Sequence, residues 1–284
     1  MPRQTCVELL APAGNFEKLE TAVHFGADAV YLSGKDFSLR NFSGNFGLDE
    51  LEAAVAFGRR HKVKIYIACN IYSRNHEQKV LREYLSRLSL IAPDAIIVAD
   101  PAIFQAARER MPHIPIHIST QANTTNYAAA DFWRRLGAER VIAARELCLP
   151  EIKAMADRGG IAVEVFVHGA LCISYSGRCL LSSYLANRDG NRGRCAQPCR
   201  WQYAVVEEKR PGQYLPIRED ARGSYIFNSR DLCMIAHIPA LVESGVCALK
   251  IEGRMKGIHY VAATVKAYRE AIDVYYRTPD QYRV

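Results

Sequence analysis

Short apolar runs alternate with amphipathic segments along most of the chain. Eight of these runs are apolar nearly throughout, which is typical of parallel strands covered on both faces. Between them apolar residues recur at helical spacing, as Val80, Leu81, Leu85 and Leu88 do in the segment 77–90. The pattern predicts strands at 7–11, 29–33, 63–69, 95–99, 114–119, 140–144, 162–167 and 247–251, and helices at 16–25, 48–61, 77–90, 101–110, 127–136, 150–158 and 259–275.

This alternation of strand and helix defines the expected fold class. It predicts an α/β protein with a parallel sheet, and eight strands at this spacing favour a closed (β/α)8 TIM-like barrel. We expect a single barrel domain over residues 1–284. An open doubly wound sheet is the alternative, because counting strands does not separate the two. No G-x-G-x-x-G follows the first strand, so a dinucleotide-binding fold gains no support.

The connection between the seventh and eighth predicted strands is far longer than an ordinary βα loop. It covers residues 168–245 and is rich in Gly, Arg, Asn, Pro and Cys. Loops of this length in compact domains are usually functional or disordered. This one leaves the carboxyl end of a barrel strand, where barrel enzymes place their chemistry. The sequence therefore predicts an inserted site-bearing segment between strands 7 and 8.

Cysteine is the informative residue of that segment. The chain has nine cysteines, and five fall in the insertion, with the spacing Cys172-x6-Cys179-x15-Cys195-x3-Cys199 followed by Cys233. An odd count without a secretory signal argues against a disulfide framework. An iron–sulfur cluster with four cysteine ligands is favoured, because clusters accept wide spacing. Structural zinc, for which only Cys195 and Cys199 have tight spacing, and a set of buried inert thiols are the alternatives.

Composition and charge narrow the class of protein. The chain has 284 residues, of which 49% are hydrophobic and 24% charged, as in ordinary globular domains. The net charge of +7 permits an anionic partner such as RNA without demanding one. No apolar stretch reaches the roughly 20 residues that a bilayer span needs, and the N-terminus lacks the pattern of a secretory signal. We therefore expect a cytoplasmic protein that does not contact a membrane.

Polar residues follow many of the predicted strands. In a closed barrel they would meet at one mouth, although a single such residue is ordinary turn chemistry. Lys250 and Arg254 could hold a carboxylate or phosphate, with Glu252 between them, and His168 could act as acid or base or simply as a hydrogen-bonded turn residue. The residues concerned are Asn15, Asn70, Asp100, Gln121, Asn123, Arg145, Glu146, His168, Lys250, Glu252 and Arg254.

The stretch EVFVHGALCISYSGRCLLS at 164–182 resembles the signature of the collagenase-like peptidase family U32. Three other segments agree with the family: ELLAPAGN, RGRCAQPCRWQY and ALKIEGRMKGIHYVA. The resemblance covers nearly the whole chain. The segments CAQPCRW and GSYIFNSRDLC are most similar to the branch that helps make 5-hydroxyuridine at the tRNA wobble position.

This resemblance implies a function different from the family name. It implies a [4Fe-4S] cluster on Cys172, Cys179, Cys195 and Cys199, with Cys233 as the alternative fourth ligand, and prephenate as the source of the hydroxyl group. The implied substrate is tRNA. The candidate catalytic residues are those chosen from the polar residues after the strands: His168, Lys250, Glu252 and Arg254. Other members act on ribosomal RNA or on a quinone precursor within a complex. A few are collagenases, so proteolysis is the rival activity.

The resemblance also bears on partners. Many relatives continue into a further C-terminal domain, so such a domain or a partner protein is expected to act with this chain. Basic and aromatic residues surround the third and fourth cysteines. They either contact RNA phosphates and stack on a base, or form a solvated loop face. These residues are Arg188, Arg192, Arg194, Arg200 and Trp201.

Overall fold

The predicted closed barrel is confirmed. A computed structural model describes residues 6–37, 45–172, 174–201 and 231–283, together with 204–205, 209, 211–212, 215–216, 219–220 and 223–224. The strands are β1 (Glu8–Pro12), β2 (Ala29–Leu32), β3 (Lys64–Cys69), β4 (Ala95–Val98), β5 (Ile116–Ile118), β6 (Arg140–Ile142), β7 (Ala162–Ala170), β8 (Ala204–Val205), β9 (Leu215–Pro216), β10 (Glu219–Asp220), β11 (Gly223–Ser224), β12 (Asp231–Cys233) and β13 (Ala248–Ile251).

Eight parallel strands close the ring. Strands β1 to β6 pair in sequence order, β6 pairs with β7, β7 with β13, and β13 with β1. The helices are α1 (Phe16–His24), α2 (Leu48–His61), α3 (Gln78–Ile91), α4 (Pro101–Arg110), α5 (Tyr127–Leu136), α6 (Leu149–Arg158), α7 (Leu181–Ala186), α8 (Ile238–Glu243) and α9 (Ile258–Arg277).

Capping side chains fix where several helices begin. Asn15 Oδ1 accepts a hydrogen bond from the Lys18 amide at 3.0 Å, and Asn126 Oδ1 accepts one from the Ala129 amide at 2.9 Å. Asp100 caps α4 in the same way. Each cap satisfies a backbone donor that the first helical turn leaves unpaired. The caps thus turn the chain from the carboxyl end of a strand into the helix that covers it.

Two hydrophobic layers hold the barrel together. The larger layer lies between the strands and the surrounding helices, and the smaller fills the inside of the ring. The inner layer mixes small and large side chains, among them Ala29, Ala68, Tyr31, Tyr66 and Ile97. Such mixing lets side chains from opposite strands interdigitate in a closed barrel.

Charged residues also lie inside the barrel, which the largely apolar strands did not suggest. Arg140 donates to Glu8 at 2.7 Å and to Glu164 at 3.0 Å, and Lys250 donates to Glu164 at 2.8 Å. Glu164 is fully buried. Burial raises the pKa of Glu8, but Arg140 and Lys64 outweigh it and hold that pKa below its usual range. The acidic and basic groups therefore neutralise one another inside the ring.

The inserted segment is shorter than the predicted 168–245. Residues 168–170 belong to β7, and the buried Ile238 and Leu241 of α8 pack into the barrel core, as an ordinary barrel helix does. Within the insertion, the sequence pattern predicts that segments 200–206 and 224–227 form the strands of a small hairpin. Instead β8 pairs with β9 and β10 with β11, while 202–203, 206 and 225–227 lie outside the described residues. Within the described residues, no helix combines the length and apolarity needed to cross a bilayer.

Candidate functional site

Four cysteines of the insertion line one cavity above the barrel mouth. Cys172, Cys179, Cys195 and Cys199 all contribute to its wall, and its volume is about 700 Å³ including the open side. We name this space the cysteine cavity. Burial raises the pKa of Cys199, and the nearby Cys172 and Cys195 raise it further. The thiols thus influence one another although the first and the last are 27 positions apart in the sequence.

The arrangement of these thiols bears on which group they fit. A single zinc ion needs its ligands to converge at about 2.3 Å from one point. Across the described residues, no three His, Cys, Asp or Glu side chains are grouped closely enough to hold one metal ion. A four-iron cluster requires no such point, because each thiolate binds a different iron. Four thiols on the wall of one cavity supply the donor set that such a cluster needs.

Cys233, the alternative fourth ligand, lies elsewhere. It ends β12, which pairs antiparallel with β7 and places Cys233 opposite His168. Its thiol interacts with the hydroxyl of Tyr268 on α9. It is absent from the wall of the cysteine cavity, which Cys199 lines.

Specific contacts dock the cysteine segment on the barrel. Arg192 donates to the Tyr72 carbonyl at 2.7 Å and pairs with Glu77 at 2.5 Å. Asn123 Nδ2 donates to the Ser176 carbonyl at 3.0 Å. Both barrel anchors come from connections after β3 and β5, at the carboxyl ends of the strands. The cysteine cavity is therefore held over the mouth of the ring.

A second cavity fills that mouth, with a volume of about 480 Å³ including its open side. We name it the mouth cavity. Six of the eleven polar residues predicted to converge line it: Asn70, Gln121, Arg145, Lys250, Glu252 and Arg254. The wall also includes the aromatic side chains of Tyr31 and Phe166. Gln121 and Arg145 line the cysteine cavity as well, so the two spaces adjoin.

Lys250 and Arg254 line the mouth cavity, and the charged group of each already bonds to another side chain of the protein. The Lys250 ammonium is buried, bonds Glu164 and lies 4.4 Å from the centre of the Tyr31 ring. Burial lowers the pKa of Lys250, although Glu164 opposes that shift. Arg254 is also buried and donates to Asn45 Oδ1 at 3.4 Å. A lysine whose ammonium is destabilised by burial gives up its proton more readily than an exposed one.

His168 does not join this group. In the pairing of β7 with β13, Lys250 lies opposite Phe166, and the next residue, Ile251, lies opposite His168. Val167 is therefore an extra residue of β7, and the strand bulges there. A bulge re-aims side chains. The His168 ring instead lies 5.8 Å from that of Tyr260 and 5.6 Å from that of Tyr268, both on α9. Burial lowers the pKa of His168.

Four more of the eleven polar residues have local roles or lie at the surface. Asn15 caps α1. Asp100 accepts hydrogen bonds from both the amide and the hydroxyl of Ser73 at 2.6 Å, and Asn123 anchors the cysteine segment. Glu146 is exposed. The predicted convergence is therefore correct for the six residues of the mouth cavity and wrong for these four and His168.

The outer face of the cysteine segment is both basic and apolar. Arg178 and Arg194 are exposed in this segment, and so are Leu180 and Tyr184, at 72% and 86%. Arg192, by contrast, is committed to Glu77, and Arg200 pairs with Asp231 at 2.8 Å. The predicted basic cluster thus divides into docking residues and solvent-facing residues.

Two residues important to the geometry were not singled out from the sequence. Glu164 and Arg140 form the buried pairs beneath the mouth cavity. The sequence feature that could have identified them is a pair of opposite charges, each at an inward position of an otherwise apolar strand. Charges are almost never buried in such strands unless they are paired.

The barrel and its docked cysteine segment define a TIM-like fold with a cysteine-lined site over its mouth. A family model, peptidase family U32, matches residues 14–283. The chain belongs to that family. It is 44% identical over 276 residues to "tRNA hydroxylation protein P1" of Bacillus subtilis, covering 97% of this chain and 65% of that protein. It is 39% identical over 306 residues to "tRNA hydroxylation protein P" of Escherichia coli, covering 94% of this chain and 68% of that one.

A solved structure agrees on the fold. The chain superposes on a U32 peptidase with a TM-score of 0.57 and 16% sequence identity, covering 88% of this chain and 94% of that one. At this identity the likeness supports the fold alone. The chain spans slightly less than two thirds of the B. subtilis protein, at 65% of its length.

Proposed function

We propose that this chain hydroxylates RNA, converting the wobble uridine of tRNA to 5-hydroxyuridine with prephenate as the source of the hydroxyl group. We propose a [4Fe-4S] cluster as its cofactor. The observation that carries the proposal is the single cavity lined by four cysteines and adjoining the barrel mouth. The two relatives named tRNA hydroxylation proteins support the choice of substrate.

The proposed ligands are Cys172, Cys179, Cys195 and Cys199. The common cavity supports this set, and the position of Cys233 opposite His168 supports Cys199 over Cys233 as the fourth. With all four irons held by thiolates, the chemistry that such a cluster would supply when bound is electron transfer.

The residues of the mouth have roles of their own in this proposal. Glu164 holds the Lys250 ammonium in a fixed position, and burial makes that ammonium a readier proton donor. Glu252 and Arg254 complete the polar wall. The inner hydrophobic layer packs against this polar wall, and Tyr31 and Phe166 belong to both. A uridine must leave its stack to reach such a site, which is easiest in a single-stranded loop such as the anticodon loop.

The exposed face of the cysteine segment is the proposed contact for tRNA. We expect a double variant, Tyr184→Ala with Arg194→Glu, to bind tRNA about tenfold more weakly. It loses one stacking surface and reverses one charge near the phosphates. Filter binding at two salt concentrations measures the affinity and its salt dependence.

The matched control is Arg87→Glu, an equal charge reversal at an exposed position of α3. It should leave tRNA affinity within about twofold, since its site is distant from the mouth. Equal losses in both variants would mean that net charge alone, and not this face, attracts the RNA.

The function itself is tested in a bacterial strain that lacks its own tRNA hydroxylation proteins. Expression of the chain should restore 5-hydroxyuridine, measured by mass spectrometry of digested tRNA, only when the strain makes prephenate. Absence of the modified nucleoside, together with digestion of gelatin by the purified chain, would overturn the proposal in favour of proteolysis.

A further inference from the structure

The mouth cavity and the cysteine cavity share two residues. Gln121 lies in the single helical turn after β5, and Arg145 follows β6, the next strand of the ring. Both residues line both cavities. A small molecule bound where the two cavities adjoin therefore lies beside these two side chains.

Gln121 is a buried polar group with an unused acceptor. Its exposed fraction is 5%, and its Oε1 accepts no hydrogen bond within the described part of the chain. Leaving such an acceptor unpaired in the protein interior is costly, so an unpaired one calls for an explanation.

Gly177 of the cysteine segment makes room for this amide. Its φ is +73°, and a Cβ built on it would lie 2.4 Å from Gln121 Oε1. A side chain at 177 would be strained by the backbone and would collide with the amide. The close approach of the two segments thus places the Gln121 amide at the boundary between the cavities.

Arg145 contributes an unused donor and a positive charge. Its Nη1 donates to the Ala170 carbonyl at 3.0 Å, and its guanidinium lies 4.7 Å from the centre of the Phe166 ring. These two contacts fix its orientation. The Nε of Arg145 is buried without a hydrogen-bond partner. Among residues 6–37, 45–172, 174–201 and 231–283, no carboxylate forms an ion pair with Arg145.

Lys250 differs in this respect, because its ammonium is paired with the carboxylate of Glu164. A guanidinium fork without a carboxylate partner is well suited to a planar anion, because its donors match the spacing of the carboxylate oxygens. The chemistry at this boundary therefore favours a ligand with a carboxylate and a nearby hydroxyl.

We propose that Gln121 and Arg145 together bind one small hydroxylated carboxylate at the boundary between the two cavities. Arg145 donates to the carboxylate, Gln121 Oε1 accepts from the hydroxyl, and the apolar part of the ligand lies against Phe166 and Tyr31. The identification of this ligand with the hydroxyl source rests on the proposed function. The binding site places that molecule in direct reach of the cysteine cavity.

Calorimetric titration of the purified, cluster-loaded chain with prephenate tests this site. We expect Arg145→Gln and Gln121→Glu each to weaken binding about tenfold or more. The first removes the charge and the second sets a near-isosteric carboxylate against the anion. The control Arg87→Gln changes the same residue type on α3 and should leave the affinity unchanged. Iron content and thermal unfolding of each variant show whether it folds and loads normally.

The outcomes separate this site from the proposed function. Selective loss of prephenate binding in both variants supports the site, even if the chain fails to restore 5-hydroxyuridine in cells. Unchanged affinity in well-folded variants overturns it, even if the chain is active. Failure of the unaltered, loaded chain to bind prephenate at millimolar concentration also overturns it.

Discussion

Cys199→Ala, purified without oxygen, is expected to lose most of its iron and acid-labile sulfide. About four of each per chain are expected for the unaltered protein if it binds one cubane cluster. The reason is geometric, since Cys199 lines the cysteine cavity together with Cys172, Cys179 and Cys195. Loss of one thiolate leaves an iron without its protein ligand. Iron and sulfide assays with the visible absorption spectrum measure the effect, and tRNA hydroxylation should fall with them.

Cys233→Ala is the matched control for this experiment. Its thiol lies by Tyr268 and opposite His168, away from the cavity wall. It should keep iron and sulfide near the level of the unaltered chain. Retention of the cluster by Cys199→Ala and its loss from Cys233→Ala would reverse the assignment of the fourth ligand. Stoichiometric zinc without sulfide in the unaltered chain would reject the cluster.

Glu164→Gln is expected to destabilise the barrel by about 3–5 kcal/mol, because it leaves two buried cations without their shared counter-charge. Glu164 is fully buried, and its two oxygens separately bind Arg140 and Lys250. The amide replaces its shape but not its charge. Urea denaturation followed by circular dichroism at neutral pH measures the change in the free energy of unfolding.

An exposed ion pair provides the comparison. Lys153 and Asp157 pair at 3.1 Å on α6, with both side chains more than half exposed. Asp157→Asn should cost no more than about 0.5 kcal/mol, because solvent screens the pair. If Glu164→Gln were as mild as Asp157→Asn, the buried charges would have to be compensated by groups other than Glu164.

Much of the barrel could be predicted from the sequence because each strand is a short apolar run between helical patterns. The second strand, for example, is predicted at 29–33 and observed at Ala29–Leu32. The seventh was predicted to end at 167 but continues to Ala170, because its last residues pair with β12. That pairing joins residues about 60 positions apart, so it cannot be predicted from the local periodicity of the sequence.

In the candidate site, too, the features set by local sequence could be predicted, whereas those that depend on contacts with distant segments could not. The cysteine spacing and the family resemblance together selected four residues that line one cavity. It could not show that Arg192 is bonded to Glu77 whereas Arg194 faces solvent, although the two arginines are neighbours in a short loop. Nor could the strand pattern show the bulge that turns His168 toward α9, since that depends on the register with β13.

The two hydrophobic layers of the barrel have a consequence for how the protein matures. Among the described residues between Val167 and Ile238, none is a fully buried member of either core layer, and only Met234 and Ile235, close to α8, pack against the larger one. The packing of the ring therefore depends little on the cysteine segment, which docks on it through Glu77 and Asn123. For the proposed cluster we expect delivery to be a late assembly step, so a chain stripped of its iron should stay folded and be reloaded.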